Sequence, residues 1–148
     1  MNENFKFIIS GSKGWLSRHF ANKVNNLGYS IFEIDNKNMW EEAQSYASKD
    51  SKKTILIHNA FESHHSNQST NLDTYKSKLD ENFVLVENLI NNVNLDAIFY
   101  PSTGRVYDKN RGKSEILDIY AEQKLFEEEQ LKFKTESKES TQQPTTIL

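Results

Sequence analysis

The feature that most constrains this chain is a glycine pair set directly behind a short apolar strand. The run FKFIIS at 5–10 has strand length, with Phe5, Phe7, Ile8 and Ile9 apolar. Gly11 and Gly14 follow at once. Phe20, Val24 and Leu27 then recur at helical spacing, and Gly28 is a good helix stop. Ile31, Phe32 and Ile34 form a second strand, which Asp35 closes. The order is strand, glycine turn, helix, strand, acid.

Each piece has a physical use at a dinucleotide. One glycine permits the tight turn after the strand, and a second lets the backbone approach a pyrophosphate. The helix N-terminus offers unpaired N–H groups and a partial positive charge to the phosphates. An acid about 20 residues further on accepts hydrogen bonds from a ribose 2′-hydroxyl, and Asp35 stands there. The third small position falls on Ser17, giving Gly11-x-x-Gly14-x-x-Ser17, and serine still allows close helix packing. A glycine pair alone fits an ordinary strand-to-helix turn of any α/β protein equally well. Asp35 is what moves the reading toward a dinucleotide.

The 148 residues suffice for one domain with a core, and 36% are of hydrophobic type. A formal net charge of −3 gives no electrostatic case for nucleic acid or an anionic membrane surface. The sequence has no cysteine, which removes disulfides and thiolate metal sites. No basic N-terminal region precedes an apolar run, and no stretch approaches membrane-spanning length. The expectation is a cytoplasmic protein without internal repeats that takes neither nucleic acid nor membrane as partner.

Further along, Asn38 is placed to cap a helix carrying Met39, Trp40, Ala43 and Tyr46. The segment TILIHNA at 54–60 reads as a buried strand with a polar end, followed by a polar loop at 61–70. A long helix over 71–93 repeats Leu72, Tyr75, Leu79, Phe83, Val86, Leu89 and Ile90 at three and four. LDAIFY at 95–100 is the next strand, 101–116 a loop containing STGRVYD, and 118–133 a helix. Residues 132–143 read as a polar linker, and TTIL at 145–148 as the start of a further strand. Strands alternating with helices predict a doubly wound parallel sheet of Rossmann-like α/β type. Ligands of such sheets sit at the carboxyl ends of the strands, where Gly11, Asp35, His58, Asn59, Ser102 and Thr103 all fall.

Tyr120 and Lys124 are four apart on a predicted helix, so they share a face. A phenol of pKa about 10 is a poor base at neutral pH, and an ammonium nearby is expected to lower that value. Thr103 adds a hydroxyl able to orient a substrate oxygen. Together they suit proton transfer at a carbinol while a nicotinamide carries the hydride. The plainer reading of Tyr-x-x-x-Lys is a half-buried aromatic beside a surface lysine. Its place after a glycine turn and a hydroxyl-bearing loop favours the chemical one.

In this order the segments resemble the extended short-chain dehydrogenase/reductases, the NAD-dependent epimerase/dehydratase group acting largely on nucleotide sugars. SGSKGWLS resembles the glycine turn, Asp35 the ribose-binding acid, and HNA at 58–60 the His-Leu-Ala segment lining the cofactor. Asn82 lies where the family keeps an asparagine, and YPSTGRVYD with YAEQK resembles the Ser/Thr loop and the Tyr-x-x-x-Lys helix. The resemblance implies Thr103 as catalytic hydroxyl, Tyr120 as acid/base and Lys124 as ribose-binding partner. It implies a cofactor held by Gly11, Lys13, Gly14, Trp15 and Leu16 of the turn. Asp35, the segment His58, Asn59 and Ala60, and Tyr120 with Lys124 complete that set. Asp35 favours NAD, since a carboxylate repels a 2′-phosphate; Lys13 and Lys37 pull toward NADP. A homodimer through the helices 71–93 and 118–133 is implied as well, with Tyr75, Leu79, Phe83, Val86 and Leu125 as its apolar surface.

The sequence departs from the family pattern in three places. Ser17 replaces the third glycine. Only about twenty residues separate Asp35 from the HNA strand, so the family's usual third strand and helix are expected to be shortened or lost. The chain also stops where the next strand begins, which reads as a domain truncated before the last strands and the C-terminal substrate domain. A sugar-nucleotide-like substrate is then expected only if such a domain is supplied. Three outcomes stay open: an enzyme of this type, a cofactor-binding module without turnover, and a non-functional fragment. No metal is expected, because His58, His64 and His65 have no evident carboxylate or thiolate partner. Glu127, Glu128 and Glu129 read as a solvated helix face, and Trp15 as packing under the first helix.

Overall fold

Parallel strands need crossovers, and this chain supplies a helix between each successive pair. The computed structural model describes residues 4–36, 38–61, 71–102, 115–139 and 146–147, with 115–118, 133–139 and 146–147 described by backbone. In chain order the elements are β1 (Phe5–Ser10), α1 (Trp15–Asn26), β2 (Ser30–Ile34), α2 (Trp40–Ser48) and β3 (Lys53–His58). They continue as α3 (Leu72–Asn92), β4 (Ala97–Phe99), α4 (Glu115–Glu139) and β5 (Thr146–Ile147). The strands form one parallel sheet in the order β2-β1-β3-β4-β5. The chain moves from β1 outward to β2, then crosses back to β3 on the other side of β1. That reversal opens a crevice at the carboxyl ends of β1 and β3.

Strand alternation assigns the two faces. Ile8, Leu56 and Ile98 point toward α2 and α3, where Ala43, Ala47, Leu85, Val86, Leu89 and Ile90 meet them. Leu131 of α4 joins the same core. Each fully buried leucine or isoleucine there contributes about 1.5–3 kcal/mol. Ile9 and Ile57 point the other way, toward Ala21 of α1, with Phe7, Phe20, Ile31 and Phe99 partly buried around them.

Lys6 breaks the pattern. It sits on the Ile8 side of β1 and is fully buried. Its Nζ donates to Tyr46 O at 2.9 Å and Ala47 O at 2.6 Å, and pairs with Asp50 Oδ1 at 2.8 Å. The last carbonyls of a helix lack partners and carry partial negative charge. One strand lysine thus closes the C-terminus of α2.

Several expected boundaries move. Met39, not Asn38, stands at the N-cap of α2; the Asn38 N–H donates to Asn36 Oδ1 instead. The last helix spans Glu115–Glu139, so most of the polar linker expected at 132–143 is helical. Its Glu and Lys residues are good helix formers but show no apolar periodicity. The expected strand at 145–148 is Thr146–Ile147, paired with Ala97 and Ile98. Asn71 caps α3 by accepting the Asp73 N–H at 2.8 Å. No helix among the described residues is long and apolar enough to cross a membrane.

Candidate functional site

The turn after β1 is built around a position that only glycine fills. Gly11 has φ 69°, and a Cβ there would lie 2.7 Å from Asn59 O and 2.9 Å from Ala60 Cα. Gly14 N–H donates to Gly11 O at 2.9 Å, and Gly14 O accepts from Arg18 N–H at 3.0 Å, starting α1. The Ser12 N–H donates to Ile34 O at 3.1 Å, which ties the turn to the end of β2. Ser17, in the third small position, does more than fit. Its buried Oγ donates to Ser10 O at 3.2 Å and accepts from Asn59 Nδ2 at 2.9 Å. One hydroxyl joins α1 to the ends of β1 and β3.

These ends border a cleft. Gly11, Lys13 and Gly14 form its turn side, and Ile34, Asp35 and Asn36 the end of β2. Asn59, Ala60 and Phe61 follow β3, while Asn82 and Leu85 reach in from α3. Lys13 Nζ lies 3.1 Å from Asp35 Oδ2, an ion pair across the mouth in which the lysine is 82% exposed. Trp15 is 73% exposed and stacks on His19 at 5.4 Å between ring centroids, so it does not pack under α1. The inward position of that helix turn belongs to Ser17. Leu16 is half-buried beside it and does not line the cleft.

His58 lies beneath the floor rather than on it, and is fully buried. Ser10 Oγ accepts the N–H groups of Asn59 at 3.0 Å and Ala60 at 3.2 Å. With both lone pairs engaged, the hydroxyl must donate to His58 Nδ1, 2.7 Å away. The histidine proton therefore sits on Nε2, a buried atom without a partner among the described residues. Burial, and then the charge of Lys124, take the His58 pKa down to about 3. His58 is a neutral strut that holds Asn59 and Ala60 through Ser10.

A second group forms the wall beyond Phe61. The Phe61 ring meets Tyr120 edge-on, with centroids 5.1 Å apart, and lies 3.9 Å from Lys124 Nζ. Lys124 is 4% exposed, donates to Pro101 O at 3.0 Å and lies over the Tyr100 ring at 4.6 Å. Tyr100 O–H donates to Glu127 Oε2 at 2.5 Å. Burial raises the Tyr100 pKa, and the Glu127 charge raises it further. Ser102 Oγ donates to Glu128. Tyr120 and Lys124 thus share one wall, joined to the cleft by Phe61 and not lining it themselves.

Two expectations fail in this wall. The Tyr120 pKa is raised, first by burial and then by Glu127, where a lysine neighbour was expected to lower it. Glu127 is no solvated residue: it is 0% exposed. Burial pushes its pKa up to about 7 against the pull of Tyr100 and Lys124, and takes Lys124 down to about 8. A charge run with no apolar spacing gave no signal for either. Thr103, Lys37, His64 and His65 lie outside the described residues.

No protein-family model and no curated protein matches the sequence. Solved structures do match the fold. A UDP-glucose 4-epimerase of Thermotoga maritima, solved with UDP-glucose, is similar at TM-score 0.67 and 16% identity, over 96% of this chain and 54% of that one. A short-chain dehydrogenase/reductase superfamily protein of Agrobacterium tumefaciens with bound NAD gives 0.62 and 17%, over 96% and 48%. A GDP-L-fucose synthetase of Naegleria fowleri bound to NADP gives 0.68 and 8%, over 99% and 49%. These likenesses are of fold, and they define the chain as a Rossmann-like α/β domain. It spans about half the length of the solved structures it matches.

Proposed function

We propose that this chain is the cofactor-binding part of an NAD(P)-dependent epimerase, dehydratase or reductase of the extended short-chain type, acting on a nucleotide-sugar-like substrate. The observation that carries the reading is the cleft at the reversal of strand order. It joins a glycine that tolerates no side chain, a helix N-terminus and Asp35. The ligands of the fold neighbours agree with it: NAD and NADP in two of them, UDP-glucose in a third.

In this reading Gly11, Gly14 and the first turn of α1 would hold a pyrophosphate. Asp35 accepts from the adenosine ribose, which favours NAD. Lys13, now paired with Asp35, is the residue that would turn to a 2′-phosphate. The bound nicotinamide supplies hydride transfer. Tyr120, with its raised pKa, works as a neutral acid that donates its phenolic proton to a substrate oxygen. Lys124 serves the nicotinamide ribose, and Thr103 orients the substrate hydroxyl. Calorimetry with NAD and NADP tests the reading: NAD binding that Asp35→Ala weakens more than NADP binding is expected, and no binding of either removes it.

A second reading, a cofactor-binding module without turnover, is favoured by Tyr120 and Lys124 standing behind Phe61 instead of lining the cleft. Turnover of a nucleotide sugar by this chain with NAD would exclude it. We also propose a homodimer through the outer sides of α3 and α4. Tyr75, Leu79 and Val86 are buried within the chain, but Val84, Leu125 and Phe126 are exposed. Phe83 and Phe126 touch, with centroids 5.3 Å apart, and join the two helices into one apolar strip. Light scattering at high concentration is the check, and a clean monomer ends the proposal.

A further inference from the structure

Glu127 has no role in the Tyr-x-x-x-Lys pattern, yet it is the most enclosed acid described in the chain. A carboxylate taken wholly out of water is costly unless it is paired and hydrogen-bonded. Glu127 follows Lys124 by three residues on α4, so the two share a side of the helix. Its Oε2 accepts from the Tyr100 hydroxyl at 2.5 Å. The ring of that same tyrosine carries the Lys124 ammonium at 4.6 Å. Carboxylate, phenol and ammonium therefore form a chain of three. A phenol donating to a carboxylate has a more electron-rich face, and this strengthens its hold on a cation.

We propose that Glu127 is a positioning residue for Lys124: through the Tyr100 ring and through its own charge, it keeps the ammonium charged and seated between Phe61 and Pro101 at the edge of the cleft. The inference rests on the reading of Lys124 as the group that serves the cofactor ribose.

Among the described residues, the other charges around the seat are few. Tyr120 and Glu128 belong to α4 itself, Tyr100 follows β4, and His58, at the end of β3, is neutral. No group of α3 contributes to the shift of Lys124 or of Glu127. Burial drives the lysine toward its neutral form, and Glu127 is the larger of the two charges that oppose this, Glu128 being the other. Removing the Glu127 charge leaves burial less opposed, and the amine loses its proton at lower pH.

The test follows the lysine directly. The chain is labelled with 13C at lysine Cε, and the Lys124 signal, identified by its loss in Lys124→Met, is titrated by NMR. A midpoint near 8 is expected for the unaltered chain. In Glu127→Gln it falls by about one unit or more. In Glu127→Asp, which keeps the charge, it returns most of the way. Tyr100→Phe removes the hydrogen bond and leaves the acid, so it moves the midpoint down by less; it carries the test if Glu127→Gln does not fold. A midpoint unmoved in Glu127→Gln, or in Tyr100→Phe where that variant alone folds, overturns the proposal.

An NAD titration from pH 6 to pH 9 (roughly the span of the two groups) separates the underlying reading. If affinity falls with the deprotonation of Lys124, and does so at lower pH in Glu127→Gln, both stand. If the lysine midpoint moves while NAD binding ignores it, Glu127 keeps its positioning role and the ribose assignment falls.

Discussion

The two ends of the proposed site would solve the same problem, placing charge beside a ligand, in opposite ways. At the glycine turn the charges stand in water: Lys13 is 82% exposed and its partner Asp35 is half in solvent. Shape there comes from backbone, through Gly11 and the hydrogen bonds of Ser12 and Ser17. At the Tyr120 wall the charges lie inside, with Lys124 at 4% and Glu127 at 0% exposure, and shape comes from the rings of Phe61 and Tyr100. Exposed pairs are worth little and are screened by salt, whereas buried ones shift each other's protonation and fail badly when one partner is removed. The turn end should therefore be sensitive to backbone and tolerant of charge changes. The wall should be the reverse.

The largest effect is expected from Gly11→Ala. It forces a side chain into a positive φ and onto Asn59 O, at a cost of roughly 3 kcal/mol. Thermal unfolding should show the loss, and calorimetry should find no NAD binding; a variant as stable as the parent would break the account of the turn. Next comes Lys124→Met, which leaves the Glu127 charge without its cation and should weaken NAD binding about tenfold or more. Activity, in any form that turns over, should fall with binding in this variant, but fall without loss of binding in Tyr120→Phe.

The pH dependence of stability sharpens the contrast further. The folded-state pKa of Glu127 is raised to about 7, so its burial costs less while the acid is protonated, and stability falls as pH rises from about 4.5 toward 7. Lys124 is lowered to about 8, so stability recovers as pH rises from there toward about 10.5. Melting temperature should thus dip between the two values; in Glu127→Gln the fall on the acid side should disappear, while the alkaline rise should begin at lower pH and grow larger. Asp35→Ala comes after these, with NAD weakened about tenfold and folding little changed. The smallest effect belongs to Lys13→Ala, under about 0.5 kcal/mol in stability and erased by salt. A large stability loss there would collapse the distinction between the two ends.

The open end was legible in the sequence; at the closed end Tyr120 and Lys124 were, while the buried Glu127 and its bond to Tyr100 were not. Gly11, Gly14 and Asp35 announce themselves because conformational freedom and strand-end position are properties of single residues at fixed spacing. The helices 15–26 and 72–92 show through their apolar repeats. Lys6 and Glu127 carry no such mark. Each is a residue whose charge alone would place it in solvent, and each is buried because a distant group receives it: the end of α2 for Lys6, the Tyr100 hydroxyl for Glu127. Only tertiary contact tells them from their exposed neighbours. Trp15 fails for a related reason. Its size suggested burial, but Ser17 takes the inward place and the indole is left outside.

The ladders of the sheet shorten steadily toward one edge. Among the described residues, β1 and β3 pair over six residues, β3 and β4 over three, and β4 and β5 over two. In the currency of amide exchange, β1 and β3 should open only with the whole fold, while β5 and then β4 open in local excursions of much lower free energy. Tyr100 and Pro101 follow directly on β4. The seat of the buried lysine is therefore tethered to a strand that lets go early, and its rate of release would set a clock on how fast the wall can rearrange around a ligand.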